Sequence, residues 1–383
     1  MELSPGLRIE AFTREFAGVF GMPDFVYAPE TVTQGRRRRE LSDGLLVVGQ
    51  RGLILQSKSR HPGQQPDTAD KAERWCHSEG ADGMRQGRGT RRTMQQLQVP
   101  FTSVRGHRRL LPDSSSWPTV VIIWHPDMPT VEFPAEPDTL FMSLPDWSML
   151  HRMIRSTSGV ISYVERALAS GIKVPLGHEQ HRYQALAAGD LIAAYAVPGS
   201  VPGLRPFFPD DRTLRNAVIF EELLELAARA ADVIGVDAYL RVLEALDRTP
   251  VEARSSIGAT MKGVFEDMIR SNSAHCLYAT GTPQTRLHLL YAIDASPALP
   301  AQLQAGIANF GKLRHLQAIE AGADPDSETL VVTRIHRPGG TDSVFFNLVS
   351  GPVTLFPAAR AALEEFYKPH REPVWQATPA APY

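Results

Sequence analysis

The sequence predicts an α/β domain at the N-terminus, followed by a mainly helical α+β region. In the first 144 residues, apolar runs of strand length alternate with helical patterns, and TVVIIW at 119–124 is the most apolar of these runs. Beyond residue 145, apolar residues recur at helical spacing over long segments. A chain of 383 residues is also too long for one ordinary domain and comfortable for two.

The first domain is predicted to follow the order helix, three strands, helix, strand. Gly21 and Pro23 end the first helical pattern, and the turn GQRG joins two apolar runs into a hairpin. Four glycines between positions 80 and 89 predict interruptions in the second helix. The predicted elements are a helix at 7–20, an extended stretch at 24–32, strands at 45–48 and 53–59, a helix from 67 toward 94, and strands at 119–124 and 139–144.

The remainder is predicted to be helical over 145–273 and mixed afterwards. The expected domains are therefore 1–144 and 145–370, and the Pro/Ala-rich end at 371–383 is expected to be a disordered tail. The later elements are predicted as strands at 285–293, 329–336 and 342–348 and helices at 300–320 and 357–367.

Charge is divided unevenly along the chain. Residues 1–117 hold 18 Lys/Arg and 13 Asp/Glu, which leaves 22 and 29 of the totals of 40 and 42 for the rest, so the two parts carry +5 and -7. A polyanion is therefore expected to bind the N-terminal part. No apolar run approaches the roughly 18 residues of a membrane span, and the first residues lack a secretory pattern. We expect a cytoplasmic protein with no membrane partner.

Three polar side chains are expected to meet at one end of the hairpin. Gln56 and Lys58 are two residues apart, so they point to the same face of their strand. Asp43 opens the neighbouring strand, and the tight turn folds it back beside Gln56. Residues 24–144 are expected to form one sheet that contains both strands. Hydrolysis of a phosphodiester needs a cation, an activated water and a positive group near the phosphate, which such a set of side chains supplies.

This arrangement resembles the PD-(D/E)xK nuclease superfamily, the restriction-endonuclease-like proteins. Their core is a helix, three strands, a helix and a strand, with an Asp on one strand and a (D/E/Q)xK triplet on the next. Asp43 and Gln56-Ser57-Lys58 occur here in that order, within residues 7–125. The whole chain is also similar to a group of poorly characterised bacterial proteins, through segments such as RELSDGLLVV and DWSMLHRMIRSTSGVISYVER.

The resemblance implies a role for each residue of the motif. Asp43, the Gln56 side chain and the Ser57 carbonyl would bind Mg²⁺ or Mn²⁺, and Lys58 would orient or activate the water. Most members carry an acid where this chain has Gln56, and a neutral ligand attracts a divalent cation less strongly. A glutamine there occurs among restriction enzymes that cut modified DNA.

An additional carboxylate is expected from Glu40, which follows the arginine run, or from Glu15 on the first helix. Gln86 falls where related restriction-type domains place a helix glutamine near the site, and the alternative is a polar residue on a solvated turn. Four consecutive basic residues either contact the phosphates that flank the scissile one or form a solvated loop, and these are Arg36, Arg37, Arg38 and Arg39.

The leading hypothesis is a Mg²⁺-dependent endonuclease that acts on DNA rather than RNA, in bacterial defence or DNA processing. The C-terminal region would bind a protein partner or form a homo-oligomer. One alternative is a catalytically inactive protein of the nuclease fold that binds nucleic acid or regulates a partner. Another is an interaction protein that binds its partner through the acidic helical region.

Overall fold

The structure is a computed structural model that divides into two compact units, Met1–Ala196 with Pro202–Phe208, and Val197–Val201 with Pro209–Tyr383. The predicted tail at 371–383 lies outside the residues that it describes. The described residues are 5–28, 31–34, 37–61, 67–96, 100–196, 202–271, 277–282, 286–293, 301–336 apart from 323, 325 and 327, and 343–366.

The first unit is an α/β structure in which helices and strands alternate. A single 3-10 turn, Pro23–Phe25, follows the first helix. In chain order the elements of the first unit are α1 (Pro5–Phe20), β1 (Val26–Tyr27), β2 (Thr31–Gln34), β3 (Arg37–Glu40), β4 (Gly44–Val48), β5 (Arg51–Ser59), α2 (Ala69–Gln96), β6 (Pro100–Thr102), β7 (Arg108–Leu110), β8 (Thr119–Trp124), β9 (Thr139–Ser143), α3 (Leu144–Ile154), α4 (Thr157–Ser170) and α5 (Glu179–Ala196).

A mixed sheet of five strands, in the order β1-β4-β5-β8-β9, forms the centre of this unit. Strands β1, β4 and β5 pair antiparallel, whereas β5, β8 and β9 pair parallel. Strands β2 and β3 form a separate hairpin, and so do β6 and β7. The expectation of one sheet over residues 24–144 is thus correct for the central strands and wrong for these two hairpins.

The hairpin of β4 and β5 turns through Gly49 and Gln50, because Val48 pairs with Arg51. Gly49 has a φ of +58°, in the left-handed region that a tight hairpin turn requires. The indole N–H of Trp117 donates to the carbonyl of Gln50 at 3.1 Å. The turn is therefore fixed both by its own backbone and by a residue 67 positions away.

Helix α2 is continuous over 28 residues, so the interruptions expected from its glycines are absent. Gly80, Gly83 and Gly87 are buried, and the last two lie on the side that faces the sheet. A Cβ at Gly83 would stand 2.7 Å from a methyl group of Val121, and one at Gly87 would meet Thr119. Each helical glycine costs about 1 kcal/mol relative to alanine, and the close packing of α2 on β8 offsets that cost.

The first unit continues past residue 144, where the sequence suggested a domain boundary. Trp147 of α3 is fully buried, and its indole N–H donates to the carbonyl of Thr13 in α1 at 2.9 Å. The hydroxyl of Thr157, at the start of α4, accepts from the backbone N–H of Met22 at 2.9 Å. These helices pack against α1 and the sheet, because the sheet needs cover on both faces.

The second unit is a mixture of helices and strands, as the sequence predicts. Its sheet has the order β10-β11-β12-β13, in which β11 and β12 are parallel and are connected through α9. Strand β10 falls where the sequence predicted no strand. The elements are α6 (Asp211–Ile234), α7 (Val236–Asp247), α8 (Val251–Ser271), β10 (Leu277–Thr282), β11 (Leu287–Ile293), α9 (Ala301–Glu320), β12 (Thr329–His336), β13 (Ser343–Val349) and α10 (Pro357–Phe366).

Candidate active site

Asp43 lies immediately before β4, at the end of the hairpin where β5 extends beyond its partner. The backbone N–H of Asp43 donates to the carbonyl of Leu55 at 3.2 Å. Its carboxylate accepts the backbone N–H of Ser57, with Oδ2 at 2.5 Å from the nitrogen. The Asp43 side chain thus takes the place of a strand carbonyl just before β4 begins, and this bond fixes the carboxylate against the Gln56-Ser57-Lys58 triplet.

Gln56 and Lys58 lie on the face of β5 that is covered by α2. Ile54, two residues before Gln56, belongs to the buried cluster on this face, and Gln56 is only 2% exposed. The last ladder pair is Gly44 with Leu55, so the same register places Asp43 opposite Gln56. The structure therefore brings Asp43, Gln56 and Lys58 to one end of the hairpin.

Ser57 faces the opposite side of the sheet, toward α1. Its hydroxyl lies 3.3 Å from the hydroxyl of Thr13. This alternation is the ordinary period of two along a strand. Only the backbone of Ser57 is directed toward β4, where its N–H already binds Asp43.

The ammonium of Lys58 is held by two residues of α2. Lys58 Nζ donates to Asp82 Oδ2 at 2.7 Å and to Gln86 Oε1 at 2.9 Å. Gln86 Nε2 also donates to Asp82 Oδ2 at 2.8 Å, and Arg85 donates to Oδ1 at 2.9 Å. The hydrogen bond from Lys58 lowers the pKa of Asp82 below its ordinary value, although partial burial opposes this shift.

Asp82 is a site residue that was not expected from the sequence. The sequence contains one indication of its role: Asp82 is four residues from Gln86, and residues with this spacing lie on one face of a helix. The surrounding glycines are compatible with either a helix or a turn at Gln86. The continuous α2 puts both residues against Lys58.

Arg14 of α1 was also not selected from the sequence. Its guanidinium donates to the backbone carbonyl of Asp43, and its Cγ is the atom nearest to a Cβ built on Gly44, at 3.2 Å. Arg14 therefore crosses the start of β4 on the α1 side. It places a positive charge beside Asp43, while Lys58 provides one on the α2 side.

The two additional carboxylates proposed from the sequence have different positions. Glu15 is exposed on α1, and it follows by two residues the Thr13 side chain that faces the sheet. Two residues correspond to about 200° around a helix, so Glu15 points away from the sheet and the structure does not bring it to Asp43. Glu40 ends β3, three residues before Asp43, and only its backbone is described.

The arginine run leads directly toward Asp43. Arg36 lies outside the described residues, whereas Arg37, Arg38 and Arg39 form the backbone of β3 and pair with β2. The β2–β3 hairpin connects to Asp43 through only Leu41 and Ser42. The run therefore lies close to Asp43 along the chain.

The available metal donors are all oxygen atoms. Within the described ranges, no group of three or more His, Cys, Asp and Glu side chains is arranged to hold a metal ion. Asp43 offers one carboxylate, and Gln56 and Ser57 offer neutral oxygens. Mg²⁺ is commonly bound through one or two carboxylates together with water and substrate phosphates. The donor set therefore fits a cation that the substrate helps to hold, and it does not form a dedicated protein cage.

His125 has a structural position at the end of β8. Its Nδ1 accepts the backbone N–H of Asp127 at 3.0 Å, which leaves Nε2 as the nitrogen that faces Asp67 Oδ2 at 3.3 Å. The imidazole is fully buried, and Asp67 also accepts from Arg60 at 3.1 Å. This contact fixes the segment that precedes α2.

Comparisons of the chain with protein-family models, with curated proteins and with solved structures give no match. Within the described part of the chain, no helix is both long and apolar enough to cross a membrane. Any function must therefore be inferred from the side chains that the fold brings together, of which Asp43, Gln56 and Lys58 form the most specific set.

Proposed function

We propose that the first unit is a metal-dependent nuclease of the PD-(D/E)xK type that hydrolyses phosphodiester bonds in DNA. The observation that carries this proposal is the bond between the Asp43 carboxylate and the backbone of the Gln56-Ser57-Lys58 triplet at 2.5 Å. The sheet supports it, because α1, three sheet strands, α2 and β8 follow one another with β5 parallel to β8.

Asp43, the Gln56 amide oxygen and the Ser57 carbonyl would hold Mg²⁺ or Mn²⁺. The bound cation would neutralise the phosphate and make water a better nucleophile. Lys58 has three N–H donors, of which Asp82 and Gln86 accept two, so one remains for the attacking water or a phosphate oxygen. Arg14 adds positive charge on the other side of Asp43.

Nucleic acid would be attracted by the basic N-terminal part. Residues 1–117 carry a formal charge of +5, from 18 basic and 13 acidic residues. The β2–β3 hairpin would present Arg37, Arg38 and Arg39 to phosphates on either side of the cleaved bond. DNA rather than RNA follows from the resemblance to restriction-type nucleases. The second unit would bind a partner or a second copy of the chain, in bacterial defence or DNA processing.

A protein that binds nucleic acid without cutting it is the second candidate. The observation that favours it is the replacement of an acid by Gln56, which leaves Asp43 as the only carboxylate of the QxK hairpin within the described residues. A neutral ligand reduces the attraction for a divalent cation. The two candidates differ in whether cleavage depends on metal.

The test is incubation of the purified full chain with plasmid, linear and single-stranded DNA and with RNA, in Mg²⁺, in Mn²⁺ and in chelator. We expect metal-dependent cutting of DNA by the wild type and its loss in Asp43→Asn. The matched control is Asp70→Asn, which changes an exposed aspartate in the first turn of α2. Binding without cleavage in either metal would support the second candidate, and equal cutting by Asp43→Asn would remove Asp43 from the mechanism.

A further inference from the structure

The side chain of Lys58 is unusually well fixed for a lysine. A free lysine side chain has many rotamers on its flexible four-carbon stem. Here the side chain is only 11% exposed, and its ammonium has partners at 2.7 and 2.9 Å on α2. Both partners lie on the same face of that helix, one turn apart.

The three side chains form a closed set of hydrogen bonds with one consistent orientation. An ammonium only donates, so the Gln86 amide must turn its oxygen toward Lys58. Its nitrogen then faces Asp82 Oδ2 and donates to it at 2.8 Å. Each of the three contacts then joins a donor to an acceptor, which fixes the amide orientation without reference to any other group.

The backbone of α2 is adapted to this contact at Gly83, between the two partners of the lysine. A Cβ at Gly83 would stand 2.7 Å from Val121 and 3.5 Å from Lys58 Cε. A larger residue would move α2 away from β8 and from the lysine. The absence of a side chain at this position therefore lets Asp82 and Gln86 reach Lys58.

We propose that Asp82, assisted by Gln86, is a positioning residue that holds the Lys58 ammonium in place for the reaction. This inference rests on the proposed nuclease function. The contacts of Asp82 are with hydrogen-bond donors: Oδ2 accepts from Lys58 and Gln86, and Oδ1 accepts from Arg85. Asp82 keeps the lysine docked while one N–H remains available for a water or a phosphate oxygen.

The first measurement does not depend on cleavage. The chain has six lysines, and the acylation rate of each can be followed by mass spectrometry with a small amine-reactive reagent. We expect Lys58 to react more slowly than Lys71, whose side chain is 63% exposed. In Asp82→Ala, Lys58 should react about 10-fold faster, since a hydrogen bond to a charged partner is lost. Asp82→Asn keeps an acceptor oxygen and should give a smaller increase.

The second measurement is the kinetics of cleavage by the same proteins. For Asp82→Ala we expect kcat to fall about 10-fold and KM to stay within about twofold, because Asp82 acts on Lys58 and not on the nucleic acid. Arg74→Ala is the matched control, since Arg74 is an exposed arginine on the same helix. It should leave both the Lys58 reactivity and kcat near the wild-type values.

Several results would overturn the inference. Equal reactivity of Lys58 in the wild type and in Asp82→Ala would mean that Asp82 does not hold the lysine. Increased reactivity with unchanged or faster cleavage would make the contact a restraint or a structural pair, not a positioning device. If the wild type cuts no substrate, the proposed nuclease function fails, and the acylation rates alone then decide whether Asp82 holds Lys58.

Discussion

Protonation of His151 is expected to destabilise the first unit at mildly acidic pH. His151 lies on α3 and is fully buried, with its ring edge-on to Trp147 at a centroid distance of 4.4 Å. Among the described residues, neither ring nitrogen has a hydrogen-bond partner. Burial alone therefore disfavours the charged form, and it lowers the pKa of His151 from 6.5 to about 3.

The size of the effect follows from these two pKa values. The unfolded chain takes up the proton at higher pH than the folded chain, so the neutral His151 contributes its full stability above pH 6.5 and loses it as the pH falls. With pKa values of 6.5 and about 3, the loss between pH 8 and pH 5 is about 2 kcal/mol. This is a large fraction of the 5–15 kcal/mol that typically stabilises a folded protein.

The assay is urea unfolding followed by tryptophan fluorescence at pH 8, 6.5 and 5. Four of the five tryptophans of the chain lie in the first unit, and they are Trp75, Trp117, Trp124 and Trp147. Replacing the fifth, Trp375, with Phe in every protein makes the signal report on that unit. His151→Leu should remove about 2 kcal/mol of the pH dependence. The exposed His178, changed to Gln, is the control and should leave the dependence unaltered.

The comparison of variants separates His151 from other titrating groups. His288, in the second unit, is also buried with its pKa lowered to about 3. Because His288 is unchanged in every protein of the series, it does not contribute to the difference between the wild type and His151→Leu. Asp82 and Asp138 have lowered pKa values, so their contributions are lost only below their ordinary value of 3.8. If wild type and His151→Leu lose stability equally between pH 8 and pH 5, the reasoning from burial is refuted.

Three further predictions concern the metal, the arginine run and α2. Gln56→Glu should strengthen Mg²⁺ binding in calorimetry, because a second carboxylate would join Asp43; unchanged binding would argue against a metal at this place. Replacing the four arginines at positions 36–39 with alanine should reduce the steepness of log affinity for duplex DNA against log salt concentration by about 3 to 4. An unchanged slope would assign the run to a solvated loop. Gly87→Ala should destabilise the first unit by about 1–3 kcal/mol, because its Cβ would meet Thr119. Gly189→Ala, on α5 with no atom within 4 Å of the new Cβ, should instead stabilise the first unit by up to about 1 kcal/mol. If both variants change the free energy of urea unfolding in the same direction, the packing explanation is contradicted.

Local signals in the sequence predict several elements of the fold correctly. The first helix, the β4–β5 hairpin, β8 and the strands β11 to β13 all lie within a few residues of their expected positions. The juxtaposition of Asp43 with the Gln56-Ser57-Lys58 triplet was also accessible, since a two-residue turn fixes the register of both strands. Periodicity and turn chemistry act over a few residues, and for that reason a single sequence is enough to detect them.

Other features depend on distant residues and become visible only in the folded chain. The glycines of α2 predict a broken helix when they are considered locally, but the helix is continuous, and two of them, Gly83 and Gly87, let it pack closely on Val121 and Thr119 of β8. Asp82 contacts Lys58 because α2 lies across β5. Glu15 does not reach Asp43, because Thr13 occupies the sheet-facing side of α1. The first unit extends beyond residue 144 because α3 and α4 cover its sheet. Each of these outcomes depends on which surfaces come within van der Waals contact, and side chains dozens of residues apart set that contact only once the chain has packed.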